Sequence, residues 1–432
     1  MLIHTPKVLD VQDKKVIVRV DFNVPLKKRI NAAGITKFSV ADDQRIRSAL
    51  ETILFLKEHG AKIILMSHLG RPDGKIVPEF SLEPIAFYLR QNMGLSVEFA
   101  NNCIGEEVTT KASALQKGEI LLLENLRYHS EEENNDHDFA KEIIKDTGAE
   151  VYINEAFSAS HRAHASIVGL NKLIPSFAGF DLAAEIKILS KILEKAHRPF
   201  VVVLGGAKID DKVSAVKNLS KLADLVLVGG GIANAFLKAS GIEVHKSFMG
   251  KNAETNVAIA KEILDAHQTE RTMIDIEQAG KGLPLPKVVV PIDVLAAKNQ
   301  DVKNEKEVIH LELLKNVKDS DEDLDLQYLD IGKETIALYK YLLSKAKTIF
   351  FNGPMGVFEN PLFAKGSRDL AKNIANNTTD FGATTVCGGG ETNAVINACG
   401  LRDRFTHVST AGGAALEFLG GEKLPGIEAL KK

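Results

Sequence analysis

Residues 62–72, which read KIILMSHLGRP, decide the fold of this chain. The run Lys62–Met66 is almost entirely apolar and does not alternate between polar and apolar side chains. Such a run is typical of a strand that is buried on both faces, as in a parallel sheet. The polar loop SHLGRP follows it directly. Because ligands bind beyond the carboxyl ends of parallel strands, the stretch predicts a strand that leads into a ligand-binding loop.

The same arrangement recurs along the chain. Further apolar runs that end in glycine-rich or polar loops lie at residues 16–20, 120–123, 151–153, 200–204, 225–228, 348–351 and 384–387. Helical patterns separate them, and one begins near Asp42 and Asp43 and carries Ile46, Leu50 and Ile53 at helical spacing. This alternation predicts an α/β fold with doubly wound, Rossmann-like parallel sheets.

The chain has 432 residues, which suggests two domains or three. An amphipathic stretch at residues 182–196 lies between the two halves and could be a helix that joins two sheets. We therefore expect an N-terminal domain over residues 1–181 and a C-terminal domain over residues 182–406, which includes this linker helix. The charged region 298–325 is expected to be an exposed excursion of the second domain.

Composition excludes several classes of function. The net charge is -3, so no global excess of positive charge points to nucleic acid or to a membrane surface. The three cysteines (Cys103, Cys387 and Cys399) are odd in number and lack the spacing of metal ligands, which fits a reducing compartment. The N-terminus turns polar too early for a signal peptide, and no apolar run approaches the roughly 18 residues of a membrane span. We expect a cytoplasmic protein.

The loops of the first half carry polar and positively charged side chains. These are Asp21, Asn23, Arg45, His68, Arg71, Arg127 and Arg162. Guanidinium groups bind phosphate and carboxylate in a bidentate manner, and several that converge on one crevice predict a small polyanionic ligand. Any one of these arginines could instead form a surface ion pair. His161 and His164 flank Arg162, and either a ligand-binding or a structural hydrogen-bonding role is open for them.

The loops of the second half are rich in glycine. They include Gly205-Gly206, Gly229–Gly231, Asn352-Gly353 and Gly388–Gly390. Glycine allows backbone N–H groups to close on a phosphate or a nucleotide. The chain contains neither a GxxxxGK[ST] loop nor a GxGxxG fingerprint, since Asn234 and Asn393 stand where the last glycine would be. A nucleotide site in this half would therefore belong to neither of these types.

Four charged positions add chemistry to the glycine loops. Lys208 and Lys212 are four residues apart and would share one helical face, where two ammonium groups suit a migrating phosphate. A solvated lysine face is the alternative. Glu391 could hold Mg²⁺ through one carboxylate, because Mg²⁺ keeps waters and phosphate oxygens as its other ligands. Glu359 is a candidate acceptor for ribose hydroxyls.

Seven motifs, in order, carry a resemblance to a known family. They are VRVDFNVP (18–25), SHLGRP (67–72), LENLRYH (123–129), AFSASHRAH (156–164), LGGAKIDDK (204–212), FNGPMGVFE (351–359) and HVSTAGGAALEFL (407–419). On these motifs the chain resembles the phosphoglycerate kinases from about residue 5 to its C-terminus. The resemblance implies two doubly wound domains joined by a helix and hinge. It also implies reversible phosphoryl transfer between 1,3-bisphosphoglycerate and ADP, giving 3-phosphoglycerate and ATP in glycolysis and gluconeogenesis.

The resemblance also assigns roles to matching positions. The phosphoglycerate would be held by Asp21, Phe22, Asn23, Arg45, His68, Leu69, Gly70, Arg71, Arg127 and Arg162. The nucleotide would be held by Lys212, Asn352, Glu359, Gly389, Gly390, Glu391 and Thr392. Arg45, Lys208 and Lys212 would be catalytic, and Mg²⁺ would accompany ATP or ADP and contact Glu391 through the nucleotide. Residues 407–432 would return to the N-terminal domain, and the protein would act as a monomer on small molecules.

The chain departs from the family pattern at four places. Glu391 stands where the family usually has aspartate, and Ser158 and Ala159 replace glycine and threonine. Ala411 replaces a glycine and could stiffen a turn near the hinge. Residues 27–40 are longer than usual, and we expect a surface loop there. Two rival functions remain: an NAD-dependent dehydrogenase, which the missing GxGxxG disfavours, and a relative without activity that serves as a scaffold.

Overall fold

The computed structural model of the chain describes residues 3–30, 36–207, 213–267, 271–276, 281–313 and 325–431. The chain divides into two compact units. Unit 1 comprises residues 1–187 and 423–432, and unit 2 comprises residues 188–422. No helix in these described ranges is long and apolar enough to cross a membrane.

Unit 1 is built on a parallel sheet flanked by helices. Its described strands are β1 (Lys15–Arg19), β2 (Leu26–Ile30), β3 (Thr36–Val40), β4 (Lys62–Met66), β5 (Val97–Phe99), β6 (Ile120–Leu122), β7 (Val151–Asn154) and β8 (Ser176–Ala178). Its helices are α1 (Val8–Val11), α2 (Gln44–Ser48), α3 (Leu50–Glu58), α4 (Glu83–Met93), α5 (Glu106–Ala114), α6 (Ser130–Glu133), α7 (His137–Thr147) and the start of α8 (Phe180–Lys195).

The order of strands in this sheet is β5-β6-β4-β1-β7-β8, and the pairings are parallel. The chain starts in the centre at β1, proceeds to one side through β4, and later continues on the other side with β7. A crevice forms at such a reversal, outside the carboxyl ends of the strands. The loops after β1, β4, β6 and β7 therefore share one edge of the sheet.

Both faces of this sheet are buried, which explains the continuous apolar runs. Val16 and Val18 of β1 belong to the core cluster on one face, whereas Ile17 belongs to the cluster on the other. All three are fully buried. Burial of one such side chain stabilises the fold by about 1.5–3 kcal/mol. Helices therefore cover both faces of the sheet, which keeps these side chains out of water. This confirms the predicted strand type.

Unit 2 repeats this architecture and adds antiparallel excursions. Its described strands are β9 (Phe200–Leu204), β10 (Leu225–Val228), β11 (Arg271–Ile276), β12 (Lys281–Pro286), β13 (Val288–Val289), β14 (Asp293–Ala297), β15 (Ile309–Glu312), β16 (Gln327–Ile331), β17 (Thr348–Asn352), β18 (Thr384–Cys387) and β19 (His407–Val408). Its helices are α9 (Val213–Leu222), α10 (Gly230–Ala239), α11 (Ala253–Ala266), α12 (Lys333–Ser344), α13 (Lys365–Phe381), α14 (Gly390–Ala398) and α15 (Gly413–Leu419). The parallel sheet has the order β13-β10-β9-β17-β18-β19.

The fold predicted from the sequence is confirmed, and each of the eight apolar runs forms a strand. The sequence missed the short strands β5, β8, β13 and β19, which have only two or three residues each. The described part of the charged region 298–325 is mostly exposed, and residues 314–324 lie outside the described residues.

Two expectations need correction. Residues 27–40 were expected to form a surface loop, but β2 and β3 pair there as an antiparallel ribbon from Leu26↔Val40 to Ile30↔Thr36. Residues 407–432 were expected to return together to the N-terminal domain. Instead β19 pairs with β18 in unit 2, and only residues 423–432 join unit 1, where they form the last helix, α16 (Pro425–Glu428).

Helix α8 is the long helix expected at residues 182–196, and its residues are shared between the two units. A buried carboxylate fixes its N-terminus within unit 1. The Glu155 side chain accepts hydrogen bonds from the backbone N–H groups of Asp181 and Leu182, each at 3.3 Å, and from the Thr52 hydroxyl at 2.6 Å. An acceptor at this position satisfies helix N–H groups that have no partner inside the helix.

Candidate active site

The carboxyl edge of the sheet in unit 1 holds an oriented guanidinium group. Arg45, in α2, donates from Nη1 to Asp21 Oδ1 and to the backbone carbonyl of Asn23, both at 3.1 Å. The Asp21 carboxylate also accepts a hydrogen bond from the Ser158 hydroxyl. The Asn23 side chain accepts from the Gly70 backbone N–H at 3.0 Å and so links two of the strand-end loops. The Arg45 side chain remains 30% exposed, so it is held in place and still accessible.

A fully buried arginine, Arg19, lies beneath this edge. Its Nε donates to Ser166 Oγ at 2.9 Å, and Ser166 donates onward to Glu132 Oε1 at 2.6 Å. Its Nη2 lies 3.0 Å from His68 Nδ1. Because a guanidinium group can only donate, His68 Nδ1 must be the acceptor, and the ring proton is therefore on Nε2.

The two buried histidines near Arg19 are electrically neutral. Burial, followed by the charges of Arg19, Arg127 and Arg45, holds the pKa of His68 well below its usual range. Burial and the charge of Arg127 lower the pKa of His164 to about 3. Protonation of either ring would place another positive charge among arginines in a site with little water. His68 is therefore a neutral hydrogen-bond donor in this cluster.

Three further arginines belong to the same set of loops. Arg127 is buried, donates from Nη1 to the Gly70 carbonyl at 2.9 Å and lies 3.1 Å from Glu133 Oε1 through Nε. Its burial lowers its pKa to about 10. Arg162 is half-buried and donates from Nε to His161 Nε2 at 3.1 Å. Arg71 is exposed.

The cluster carries more positive than negative charge. Its arginines are Arg19, Arg45, Arg71, Arg127 and Arg162, and the carboxylates that contact or neighbour them are Asp21, Glu132 and Glu133. Positive groups held in a partly buried crevice attract an anion that carries several charges. The arrangement suits a small ligand with both a phosphate and a carboxylate.

At two of the predicted positions, Phe22 and Leu69, the side chain is buried. The Phe22 side chain is fully buried in the hydrophobic core, and its backbone N–H donates to Ser67 Oγ at 2.9 Å. Leu69 also packs in the core, with 4% exposure. The two side chains pack beneath the carboxyl edge of the sheet, so only the backbone atoms of Phe22 and Leu69 could contact a ligand.

The glycine loops of unit 2 meet at the corresponding edge of the second sheet. The backbone N–H of Gly205 donates to the Asn352 carbonyl at 2.8 Å. The Asn352 side-chain amide donates to the Gly388 carbonyl at 2.5 Å, and the Thr392 hydroxyl accepts from the Gly353 N–H at 2.6 Å. These bonds join the ends of β9, β17 and β18. Asn352 and Thr392 are both buried.

The glycines are required at the points of closest approach. A Cβ on Gly205 would lie 2.1 Å from the Pro354 carbonyl oxygen, and one on Gly353 would lie 2.0 Å from the Gly205 carbonyl oxygen. Gly353 and Gly389 also have φ values of +90° and +100°, where other residues are strained. The absence of side chains lets the loops pack closely and places the first turns of α10 and α14 beside a cleft.

A cleft of about 210 Å³ opens over these loops. The residues that line it include Gly206, Gly230, Gly231, Glu359 and Glu391. Its other walls include Phe248, Tyr328, Leu329 and Val357. Glycine amides beside apolar side chains are an arrangement that suits a phosphate joined to a planar base. Glu359 and Glu391 are exposed, and Glu391 stands in the first turn of α14.

Lys208 and Lys212 lie outside the described residues, and their roles stay predictions. The sequence reasoning missed Arg19, Ser158, Tyr328 and Phe248. Arg19 did leave a signal, because it is the single charge within the apolar run 16–20. Tyr328 and Phe248 line the cleft but lie far from the glycine motifs in the sequence. The residues around them show no pattern that indicates a ligand-binding role.

Comparisons with known proteins agree with this geometry. Residues 7–422 match the protein family described as Phosphoglycerate kinase. The chain is 42% identical to the phosphoglycerate kinase of Dictyoglomus turgidum over 423 residues, which cover 98% of this chain and 96% of that protein. It is 43% identical to the phosphoglycerate kinase of Chlorobium chlorochromatii over 420 residues, which cover 97% of each.

Solved structures give the same result. The phosphoglycerate kinase from Coxiella burnetii aligns with a TM-score of 0.77 at 32% identity and covers 99% of both chains. The phosphoglycerate kinase from Pyrococcus horikoshii aligns with a TM-score of 0.78 at 33% identity, over 97% of this chain and 96% of that one. The chain therefore belongs to the phosphoglycerate kinase family, whose members are phosphotransferases with a carboxyl group as acceptor.

Proposed function

We propose that the chain catalyses reversible phosphoryl transfer between 1,3-bisphosphoglycerate and ADP, giving 3-phosphoglycerate and ATP. The observation that carries this proposal is the surplus of arginines at the carboxyl edge of the sheet in unit 1, in a chain that matches the family over residues 7–422. The glycine-lined cleft of unit 2 supports a nucleotide as the second ligand.

In this proposal the phosphoglycerate is bound by groups that are already oriented. Arg45, Arg127 and Arg162, together with Arg71, supply charge for the phosphate and carboxylate. Asp21 and Asn23 hold Arg45 and the Gly70 loop in place. His68 contributes its Nε2–H as a neutral donor, because Arg19 occupies Nδ1. Phe22, Leu69 and Gly70 take part through their backbones.

The nucleotide is proposed to lie in the cleft of unit 2. Gly389, Gly390 and Gly231, which is in the first turn of α10, receive the phosphates through backbone N–H groups. Asn352 and Thr392 hold the loops together, and Glu359 accepts a ribose hydroxyl. Lys212 is assigned to the nucleotide and Lys208 to the transferring group from the family motif alone.

Mg²⁺ fits this cleft only in company with the nucleotide. No three His, Cys, Asp or Glu side chains gather around one point in the described part of the chain. Mg²⁺ commonly uses one or two carboxylates plus substrate phosphates and water, and exposed Glu391 supplies one carboxylate beside the glycine amides. When bound, the ion neutralises the phosphate oxygens during transfer. The longer side chain of glutamate is compatible with this role.

The reaction needs positioning and charge more than proton transfer. A carboxylate oxygen of 3-phosphoglycerate attacks the γ-phosphorus of ATP, the bond to the bridging oxygen breaks, and ADP leaves. The attacking carboxylate is already ionised near pH 7, so no general base is required. Arg45, Lys208 and Lys212 are proposed to stabilise the transferring group. Because the two ligand sets belong to different units, we infer that hinge closure aligns the ligands and excludes water.

A coupled assay tests the proposed function. The purified chain is supplied with 3-phosphoglycerate and MgATP, and a dehydrogenase that reduces the acyl phosphate reports product through NADH oxidation. We expect turnover that depends on both substrates. Release of phosphate from ATP without 3-phosphoglycerate, measured separately, would indicate a simple ATPase. NADH oxidation without the coupling enzyme would favour a dehydrogenase. A folded but inactive chain would support the scaffold hypothesis.

Substitution of Glu391 tests the metal assignment. We expect Glu391→Asp to retain most activity and Glu391→Ala to raise the Mg²⁺ concentration required for half-maximal activity about tenfold, because one anionic ligand is lost. Glu422→Ala is a matched control, since it removes an exposed glutamate of unit 2 that does not line the cleft. A Mg²⁺ titration of Glu391→Ala that superimposes on that of the parent would remove Glu391 from the metal site.

We also infer that the protein acts as a cytoplasmic monomer on these small molecules. The family supports this inference, and so do the three cysteines, none of which forms a disulfide bond in the structure. Light scattering of the purified chain tests its oligomeric state, and a mass of a dimer would contradict it.

A further inference from the structure

An unusual basic surface stands beside the candidate phosphoglycerate site. The antiparallel pair β2–β3, called here the basic ribbon (residues 26–30 and 36–40), is inserted in the chain between Asn23 and Arg45. The Ala41 N–H donates to the Pro25 carbonyl at 2.9 Å and closes the base of the ribbon. Along the chain, the ribbon therefore lies between two residues of the candidate phosphoglycerate site, Asn23 and Arg45.

The two faces of the basic ribbon differ in chemistry. Side chains alternate along a strand, so Leu26 and Lys28 share one face with their partners Phe38 and Val40. Leu26, Lys28 and Phe38 line a cleft of about 370 Å³ together with Asn23, Leu69 and Gly70. Lys28 is paired with Glu79 at 3.2 Å. This inner face holds the ribbon against the edge of unit 1.

The outer face carries Lys27, Arg29 and Lys37, which are all exposed. Arg29 is directly opposite Lys37 in the register. Like charges at directly opposite positions destabilise a strand pair. None of the three forms an ion pair with a described residue, and the nearby acid Asp43 is neutralised by Arg47 at 2.7 Å. Exposed Asp42 offsets one of the three charges. After this offset the face keeps an excess of two positive charges, although like charges at opposite positions destabilise the strand pair.

We propose that the basic ribbon is an electrostatic capture surface for the anionic phosphoglycerate. This inference rests on the proposed function of the same site. The ligand carries about three negative charges, from one carboxylate and a phosphate of about -1.5 to -2. Exposed charges act over about 10 Å at 0.1 M salt and about 30 Å at 0.01 M salt. The ribbon raises the local concentration of the ligand without contact with the reacting atoms.

The test is the triple substitution Lys27→Ser, Arg29→Ser and Lys37→Ser. At an ionic strength of about 0.01 M we expect KM for 3-phosphoglycerate to rise about three- to tenfold. At about 0.5 M salt we expect the difference to fall below about 1.5-fold, since the charges are then screened. The value of kcat at saturation and KM for ATP are expected to stay unchanged.

The matched control removes the same charge at the opposite edge of the sheet. Lys57, Lys145 and Lys172 are exposed and lie four to six residues before β4, β7 and β8, in the segments that lead to the amino ends of these strands. Their triple substitution with serine is expected to leave KM unchanged at either salt concentration. An equal rise in KM in this control would show that KM depends on the net charge of the protein and not on the ribbon. That result would overturn the proposal.

Two further readouts keep the proposal separable from folding and from the proposed function. The pair Arg29→Ser and Lys37→Ser is expected to give an intermediate KM and an unchanged or higher melting temperature, since it relieves the cross-strand repulsion. If the parent is active and the triple variant has the same KM at low salt, the proposal of a capture surface is wrong. The proposed function is then unaffected. If the parent lacks activity, the proposed function fails, and direct calorimetric binding of 3-phosphoglycerate at low salt decides whether the ribbon captures the anion.

Discussion

Replacement of Arg45 with alanine is expected to lower kcat about 10²- to 10³-fold, while the affinity for 3-phosphoglycerate falls by less than about tenfold. Arg45 is held by the Asp21 carboxylate at 2.9 Å and by the Asn23 carbonyl at 3.1 Å, so its guanidinium group is oriented before a ligand arrives. Groups that are oriented in advance stabilise charge that develops in the transition state more than charge already present in the substrate. The loss should therefore fall mainly on kcat.

The measurement compares kcat from the coupled assay with the dissociation constant from calorimetry. Arg47→Ala is the matched control, because Arg47 lies on the same helix, is paired with Asp43 at 2.7 Å and has a side chain that is 60% exposed. Arg45→Lys should recover only part of the rate, since an ammonium group cannot bind in the bidentate manner of a guanidinium group. A kcat for Arg45→Ala within about threefold of the parent would refute the catalytic role.

Replacement of Arg19 with methionine is expected to lower the free energy of unfolding by about 3–5 kcal/mol. Arg19 is fully buried, and its charge opposes the effect of burial, which raises the pKa of Glu132. Without Arg19, the buried Glu132 and the Ser166 hydroxyl lose the positive partner of their network. A buried carboxylate without a partner lowers the free energy of unfolding. This loss exceeds the stabilisation that the flexible methionine side chain adds through packing.

Denaturation by urea, followed by circular dichroism because the chain has no tryptophan, measures this effect. The double variant Arg19→Met/Glu132→Gln removes both charges and should regain at least half of the lost stability. The same variants should weaken 3-phosphoglycerate binding, since His68 is then free to place its proton on Nδ1. A loss below about 1 kcal/mol in the single variant would show that the network is not a structural requirement.

Much of the site was predictable because its chemistry lies at strand ends. The apolar run of β4 and the loop that carries His68 and Arg71 are adjacent in the sequence, and the strand-end rule places that loop at the ligand edge. The motifs around Asn352 and Glu391 were found in the same way. The basic ribbon was not recognised, because residues 26–30 and 36–40 lack the continuous apolar pattern of a buried strand, and only pairing between them makes a sheet.

The sequence by itself determined the two parallel-sheet units, the loops that bear the charged and glycine-rich motifs, and membership of the family. Periodicity and residue type decide the sheets and the loops, and seven ordered motifs carry the family resemblance. All of these are local properties of the chain. The tertiary structure alone decided that Arg19 fixes the proton of His68, that Ser158 supports Asp21, and that Arg29 faces Lys37. These contacts join residues that are 8 to 137 positions apart. Their distances depend on how strands pair and loops meet, which no local pattern of residues specifies.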